Sequence, residues 1–143
     1  MIHNKKPEGF KKDFISVGAL FVDNNKNILL LKRKKDNTYG AVAGKPKDKE
    51  SVYKTLKRES LEETGIDLKS IKKPTFKKWY VVWPTGESFI FHLAVIHFDQ
   101  RPNVTLDPKE HTNYRWVSFN EAVDTFPLIR DMKECMLQVK KLI

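Results

Sequence analysis

The chain has 143 residues, of which 40% are hydrophobic, and a formal net charge of +9. The length fits one ordinary domain, expected over 1–143, with enough apolar residues to bury a core. No apolar run approaches the roughly 18–20 residues of a bilayer span, so a membrane partner is not expected. The excess of lysine and arginine favours a polyanion, whether nucleic acid, anionic lipid or a phosphorylated small molecule, although scattered pairs such as Lys5-Lys6 and Lys72-Lys73 also serve as plain solubilising charge.

Met1 to Lys12 is polar and basic, with Pro7 and Gly9 and no apolar stretch of the signal-peptide type. It reads as a loose N-terminal arm or an extra edge strand. Residues 14–22 (FISVGALFV) are β-branched and aromatic and predict a strand. The turn formers 23–27 lead to a return strand over 28–33. Residues 34–37 form a polar loop, and 39–43 predict one short strand. Residues 51–64 predict a helix, with Ser51 as N-cap and Gly65 just past the end. Two β-rich runs, 75–83 and 88–98, flank the turn Pro84-Thr85-Gly86-Glu87 and should pair as a hairpin.

A long polar loop is expected over 99–112, then a strand over 114–117. Ser118 and Glu121 stand at capping-box spacing for a short helix. Residues 128–142 predict a terminal amphipathic helix with Ile129, Met132, Met136 and Val139 on one stripe. The order indicates a mixed α/β fold, with helices packed on a mixed sheet. The single cysteine, Cys135, allows no internal disulfide and points to a cytoplasmic setting. In its helical context it reads as an inert residue.

The segment from Gly44 to Ile66 (GKPKDKESVYKTLKRESLEETGI) carries the most information. Glu59, Glu62 and Glu63 are spaced i, i+3, i+4 and share about one third of the helix circumference. Like charges at that spacing repel. Val52, Leu56, Glu59 and Glu63 form one ridge that starts apolar, so its acids face partly inward. Arg58 can pair with one carboxylate in a two-bond contact, and a divalent cation would compensate the others. Oxygen ligands with no Cys or His in the segment select Mg²⁺ or Mn²⁺ over zinc. Three glutamates alone would also suit a solvated acidic helix end. The surroundings argue against that, because Glu50 lies two helical turns before Arg58, within reach of a salt bridge that fixes the loop onto the helix.

The pattern of Gly44, Glu50, Arg58, Glu59, Glu62, Glu63, Gly65 and Ile66 resembles the Nudix hydrolase signature. One position departs: Ser60 stands where the family has an apolar residue, and Leu61 follows it, which is expected to loosen the helix packing without removing a ligand. The resemblance covers nearly the whole chain from about Phe14. It implies an α/β/α sandwich with a mixed sheet, and an enzyme that hydrolyses a diphosphate linkage in a nucleotide-like substrate with Mg²⁺, or Mn²⁺, as cofactor. It assigns Glu59, Glu62, Glu63 and the Gly44 carbonyl as metal ligands, Arg58 as the group that orients Glu59, and Glu50 as a group that holds Arg58 or assists the metal site.

The general base is either a helix glutamate, such as Glu62, or Glu110. The latter lies in a Glu-His-x-x-Tyr-x-Trp stretch, 110–116, that looks like Nudix enzymes acting on deoxynucleoside or dihydroneopterin triphosphates. Lys32, Arg33 and Lys45 are candidate phosphate contacts, and Lys47 adds to an unusually basic loop. Tyr39, Trp79, Tyr80, Trp83 and Phe89 are candidates for a base-stacking wall. Two other readings stay open. One is hydrolysis of a dinucleoside polyphosphate. The other is a module without catalysis, either sensing a nucleotide or binding nucleic acid through the stretch Lys77-Lys78-Trp79-Tyr80.

Overall fold

Valine, isoleucine and phenylalanine dominate two long runs of the chain, and both become central strands. The computed structural model describes residues 1–143. Its strands are β1 (Ile2–His3), β2 (Phe14–Val22), β3 (Ile28–Arg33), β4 (Tyr39–Gly40), β5 (Val42–Gly44), β6 (Phe76–Val82), β7 (Ser88–His97) and β8 (His111–Val117). The helices are α1 (Val52–Thr64), α2 (Phe119–Thr125) and α3 (Met132–Val139), with a closing 3₁₀ turn at Lys140–Leu142. No helix is long and apolar enough to cross a membrane.

The strands form one mixed sheet in the order β1-β6-β7-β2-β3-β4, with β5 on β2 and β8 on β3. β2 and β7 run parallel over their full shared length, from Phe14 beside Phe89 to Val22 beside His97. The other pairs are antiparallel. Both faces of β2 are covered, so Val17 and every residue from Ala19 to Val22 is almost fully buried. One core packs Leu20, Leu30, Trp79 and Phe91 against Met132 and Met136 of α3. The other packs Val17, Phe21, Leu29 and Leu31 against Leu56 of α1 and Ile66. The fold is therefore the α/β/α sandwich expected from the sequence.

The chain start takes the second of its two expected forms: Ile2–His3 pair with Val81 and Tyr80 as an edge strand, and no regular element follows until β2. Three local expectations are corrected. Residues 39–43 are not one strand. The chain changes partner at Ala41, where β4 ends on β3 and β5 begins on β2. β8 starts at His111, inside the expected loop, and pairs with Arg33 across a register shift in β3. The last helix starts at Met132 rather than at 128. The segment before it is pulled into extended pairing: Tyr39 N donates to the Pro127 carbonyl and Ile129 N to the Tyr39 carbonyl, both at 2.8 Å. Asp131 then turns through the left-handed region at φ 67°.

The turn between β2 and β3 is held by one buried acid. Asp23 is 3% exposed and accepts the backbone N–H of Asn25 and of Asn27. Arg101 donates to it at 2.8 Å, which ties the 99–110 loop to the sheet. Burial by itself raises this carboxyl, but the bonds from Asn27, Arg101 and Asn25 outweigh it and hold the group below the ordinary carboxylate range. Asp23→Ala is expected to lower stability by about 2–3 kcal/mol at neutral pH. A depressed folded pKa gives a contribution that is complete above the unfolded value of about 4 and is lost as pH falls through the folded one. Denaturant unfolding of both proteins should therefore show the gap narrowing below about pH 4.

Candidate active site

α1 is capped at both ends as its sequence requires. The Ser51 side chain accepts from Lys54 N at 3.2 Å, and Gly65 takes φ 72° while its N–H bonds the Leu61 carbonyl. The ridge is arranged as its spacing demands. Leu56 is fully buried, Glu63 is 4% exposed, and Glu59 lies between helix and sheet. Ser60 tightens the helix instead of loosening it. It is fully buried, and its hydroxyl donates to the Ile66 carbonyl at 2.7 Å, while Leu61 faces out.

Arg58 organises the loop before the helix. Its guanidinium grips Glu50 through two bonds, Nε to Oε2 and Nη2 to Oε1, each 2.9 Å. It also donates to Glu59 at 2.7 Å, to Glu62 at 3.2 Å and to the Lys45 carbonyl at 3.0 Å. Glu50 in turn accepts from Lys47 N and from the Thr55 hydroxyl. The Arg58 hydrogen bond is the largest cause that holds the Glu50 carboxyl at about 2, and the same bond raises Arg58 above its usual value.

At the junction of β5 and α1 the backbone and the ridge almost touch. A Cβ on Gly44 would collide with the Glu59 carboxylate, so any larger residue there must push that side chain aside. One residue earlier, Ala43 N donates to Glu63 Oε1 at 2.9 Å. Burial pushes Glu63 up to about 9 despite that bond, and the charges of Glu59, Glu110 and Glu62 push the same way. Burial also raises Glu59, against the pull of Arg58. A cation among these carboxylates would favour their charged forms and so oppose both shifts. The donor set, all oxygen from carboxylates with the Gly44 carbonyl beside them, fits a hard divalent cation.

Glu110 and His111 reach the same place from the 99–110 loop and the start of β8, and Val104 and Leu106 of that loop pack in the same core as Leu56 of α1. The Glu110 carbonyl accepts from Lys34 N at 2.9 Å, which fixes its loop against the end of β3. Glu110 is exposed, whereas His111 is 6% exposed. Ligand atoms of Glu63, Glu110 and His111 all lie within 4.8 Å of one another. His111 Nε2 is 3.9 Å from Glu63 Oε2, too far for a hydrogen bond. Burial lowers the pKa of the ring, with opposing contributions from nearby charges, so the contact is no ion pair near neutral pH.

Gly44, Glu63, Glu110 and His111 open onto a cleft of about 970 Å³, whose lining does not include Glu59 or Glu62. Gly44, Lys45, Glu63, Glu110 and Arg33 line it, as do Lys34, Lys35 and Lys109. Its apolar part includes Phe14, Trp83, Phe89 and Phe91 on the sheet and Ile129 and Met132 from the far side. Lys32 is not among the lining residues. Arg33 lines the cleft but is already paired with Asp36, and the Lys45 ammonium sits 3.9 Å over the Phe14 ring. Of the five aromatic candidates, Trp83 and Phe89 line the cleft. Trp79 is fully buried, with Nε1 bonded to Gln138. Tyr39 packs on Phe126, and Tyr80 on Phe10.

Because Trp79 is buried, the stretch from Lys77 to Tyr80 does not present alternating exposed aromatics. Cys135 also lies on the cleft wall, but it is buried and burial pushes its thiol up to about 12, as befits an inert residue. Sequence reasoning passed over Lys34, Lys35 and Phe14. The basic run 32–35 was a readable signal for the lysines. Phe14 depended on the parallel register that sets it beside Phe89.

A family model described as NUDIX domain matches residues 12–139. The chain belongs to the NUDIX domain family. Similar solved structures agree with the fold. The MutT protein of Methanosarcina mazei Go1 is 26% identical, with a TM-score of 0.73 over 95% of this chain and 99% of that one. The dihydroneopterin triphosphate pyrophosphohydrolase of E. coli is 16% identical, with a TM-score of 0.71 over 90% and 96%. An Ap4A hydrolase of C. elegans is 18% identical, with a TM-score of 0.67 over 89% and 96%. No match was found among curated proteins. Nudix hydrolases use divalent metals, and the acidic ridge and the Glu63 cluster are where this Nudix chain has the groups to hold one.

Gly44→Ala tests the close approach. The added methyl must displace Glu59, and a displacement of about 1 Å at a reacting centre costs on the order of a hundredfold in rate. Steady-state kinetics should show that loss while circular dichroism shows an unchanged fold.

Proposed function

We propose that the chain is a magnesium-dependent pyrophosphohydrolase acting on a nucleoside triphosphate or a related nucleotide. One observation carries this reading. A single cleft holds the buried carboxylate and the exposed one, a set of lysines, and an apolar aromatic wall. Diphosphate hydrolysis needs each of them. The charged chain needs compensation, the reacting phosphorus needs a positioned water, and the base needs a surface on which to stack.

Glu59, Glu62, Glu63 and the Gly44 carbonyl would hold the cation. A bound Mg²⁺ supplies charge neutralisation on the phosphate oxygens. The protein's own groups do the rest. Arg58 keeps Glu59 and Glu62 in place. Lys34, Lys35 and Lys109 form no ion pair with a protein carboxylate, so they are free to take phosphate oxygens, with Lys45 beside them and Arg33 once it is released from Asp36. The exposed carboxylate of Glu110 takes the proton of the attacking water. The new bond joins the water oxygen to phosphorus, and the bond that breaks is the one to the bridging oxygen of the diphosphate. Several cationic side chains along one cleft favour a substrate with a long phosphate chain over one with an isolated diphosphate.

A nucleotide panel with Mg²⁺ and product analysis tests the reading. Wild type should release pyrophosphate or phosphate from nucleoside triphosphates, with KM rising as salt screens the lysines. Glu62→Gln should lower kcat by about a hundredfold or more. Glu110→Gln should lower kcat by about 10²-fold at little cost in KM. If no diphosphate compound is turned over, or if Glu62→Gln keeps full rate, the reading is wrong. An unchanged rate in Glu110→Gln alone returns the base to the helix.

A further inference from the structure

The glutamates of α1 account for one set of oxygen ligands. They leave unexplained a histidine that the sequence places far from them and the fold brings back. His111 is 6% exposed, yet its Nδ1 is buried with no hydrogen-bond partner. Its Nε2 stops 3.9 Å from Glu63, short of a bond. Buried imidazoles are almost always hydrogen-bonded, and this one lies against two carboxylates instead. Glu63 is the buried carboxylate of the pair. Glu110, on the exposed side, has no ion pair and is free to rotate.

We propose that Glu63, Glu110 and His111 form a mixed nitrogen–oxygen position for a first-row transition cation, binding Co²⁺ or Zn²⁺ in preference to Mg²⁺. The geometry is close to that required. Two atoms that share an ion at about 2.1 Å each lie no more than about 4.2 Å apart. The three ligand atoms here already fall within 4.8 Å of one another, and rotation of the exposed Glu110 side chain closes the difference. The ligand chemistry separates this position from the helix set. Carboxylates and a carbonyl suit Mg²⁺, whereas an imidazole nitrogen raises affinity along the series from Mn²⁺ to Co²⁺ and Zn²⁺. Glu63 belongs to both sets, so the position sits beside the site proposed above and shares one residue with it. A carboxylate has two oxygens, and ligation through one oxygen of Glu110 leaves the other as a proton acceptor.

The test is metal binding without substrate. Metal-free protein is titrated with Co²⁺ and followed by visible absorption, which reports binding and coordination geometry, and the His111 variant shows whether the imidazole is a ligand. Mg²⁺ is titrated separately by calorimetry. His111→Ala should weaken Co²⁺ by at least about tenfold and leave Mg²⁺ within about twofold, a change too small to signal a lost ligand. Glu110→Gln, at an exposed position that does not threaten folding, should weaken Co²⁺ similarly. The proposal is overturned if either variant binds Co²⁺ as wild type does, or if His111→Ala loses Mg²⁺ and Co²⁺ in parallel. Nucleotide turnover in Mg²⁺ by the wild type is scored separately. Turnover with Co²⁺ binding that ignores His111 sinks only this proposal. Co²⁺ binding that needs His111 without any turnover sinks only the hydrolase reading.

Discussion

The two-bond contact between Arg58 and Glu50 is the constraint on which the site depends. Like-charged glutamates on adjacent helical turns repel, and they need a cation among them. Arg58 is the cation that makes the arrangement tolerable within the protein. It reaches three carboxylates and the Lys45 carbonyl, and every N–H of its planar fork finds an acceptor. Through Glu50 it also fixes the 45–50 loop, whose first residue follows Gly44. The loop, the strand end and the helix thus share one electrostatic hub. The carboxyls left over, the half-buried Glu59 and the buried Glu63, are raised by burial, and a divalent cation there would favour their charged forms.

The sheet supplies the second half of the site. β2 accepts β7 on one edge and β5 on the other, so the aromatic wall and the Gly44 turn are held by the same strand. β3 carries β8, and the register shift opposite Arg33 delivers His111 inward and Glu110 to the cleft. The helix α1 and the loop that leads into β8 therefore converge on a single opening. Stability and function are separable here. Asp23 and Ser60 secure turns and helix ends away from the cleft lining, whereas Gly44 and Arg58 spend local freedom on holding carboxylates in place.

Much of this was legible in the sequence because it is local. Helical periodicity set the glutamate ridge, Ser51 and Gly65 marked the helix ends, and the distance from Glu50 to Arg58 foretold their pairing. What escaped notice depends on contacts between distant segments. The helix pattern of 128–142 was read correctly from Met132 onward. Pairing with Tyr39 took 127–129 into extended structure, which no local signal reports. The break at Ala41 has the same origin, since two different strands compete for 39–44. Among the basic residues, strand alternation could not separate Lys32 from Arg33 without knowing where β3 shifts register. The role of Ser60 was misjudged because its hydroxyl was weighed as lost apolar area, when its partner is the Ile66 carbonyl beyond the helix end.

The most direct check on the whole account is Arg58→Lys, assayed for nucleoside triphosphate hydrolysis in Mg²⁺ alongside the wild type. Lysine keeps the charge but not the planar set of donors that serves Glu50, Glu59, Glu62 and Lys45 together. If that geometry organises the site, wild type cleaves the diphosphate linkage and the variant, still folded by circular dichroism, loses about a hundredfold or more in kcat. A variant that turns over at the wild-type rate would contradict the account, because charge alone would then suffice and the hub would be incidental.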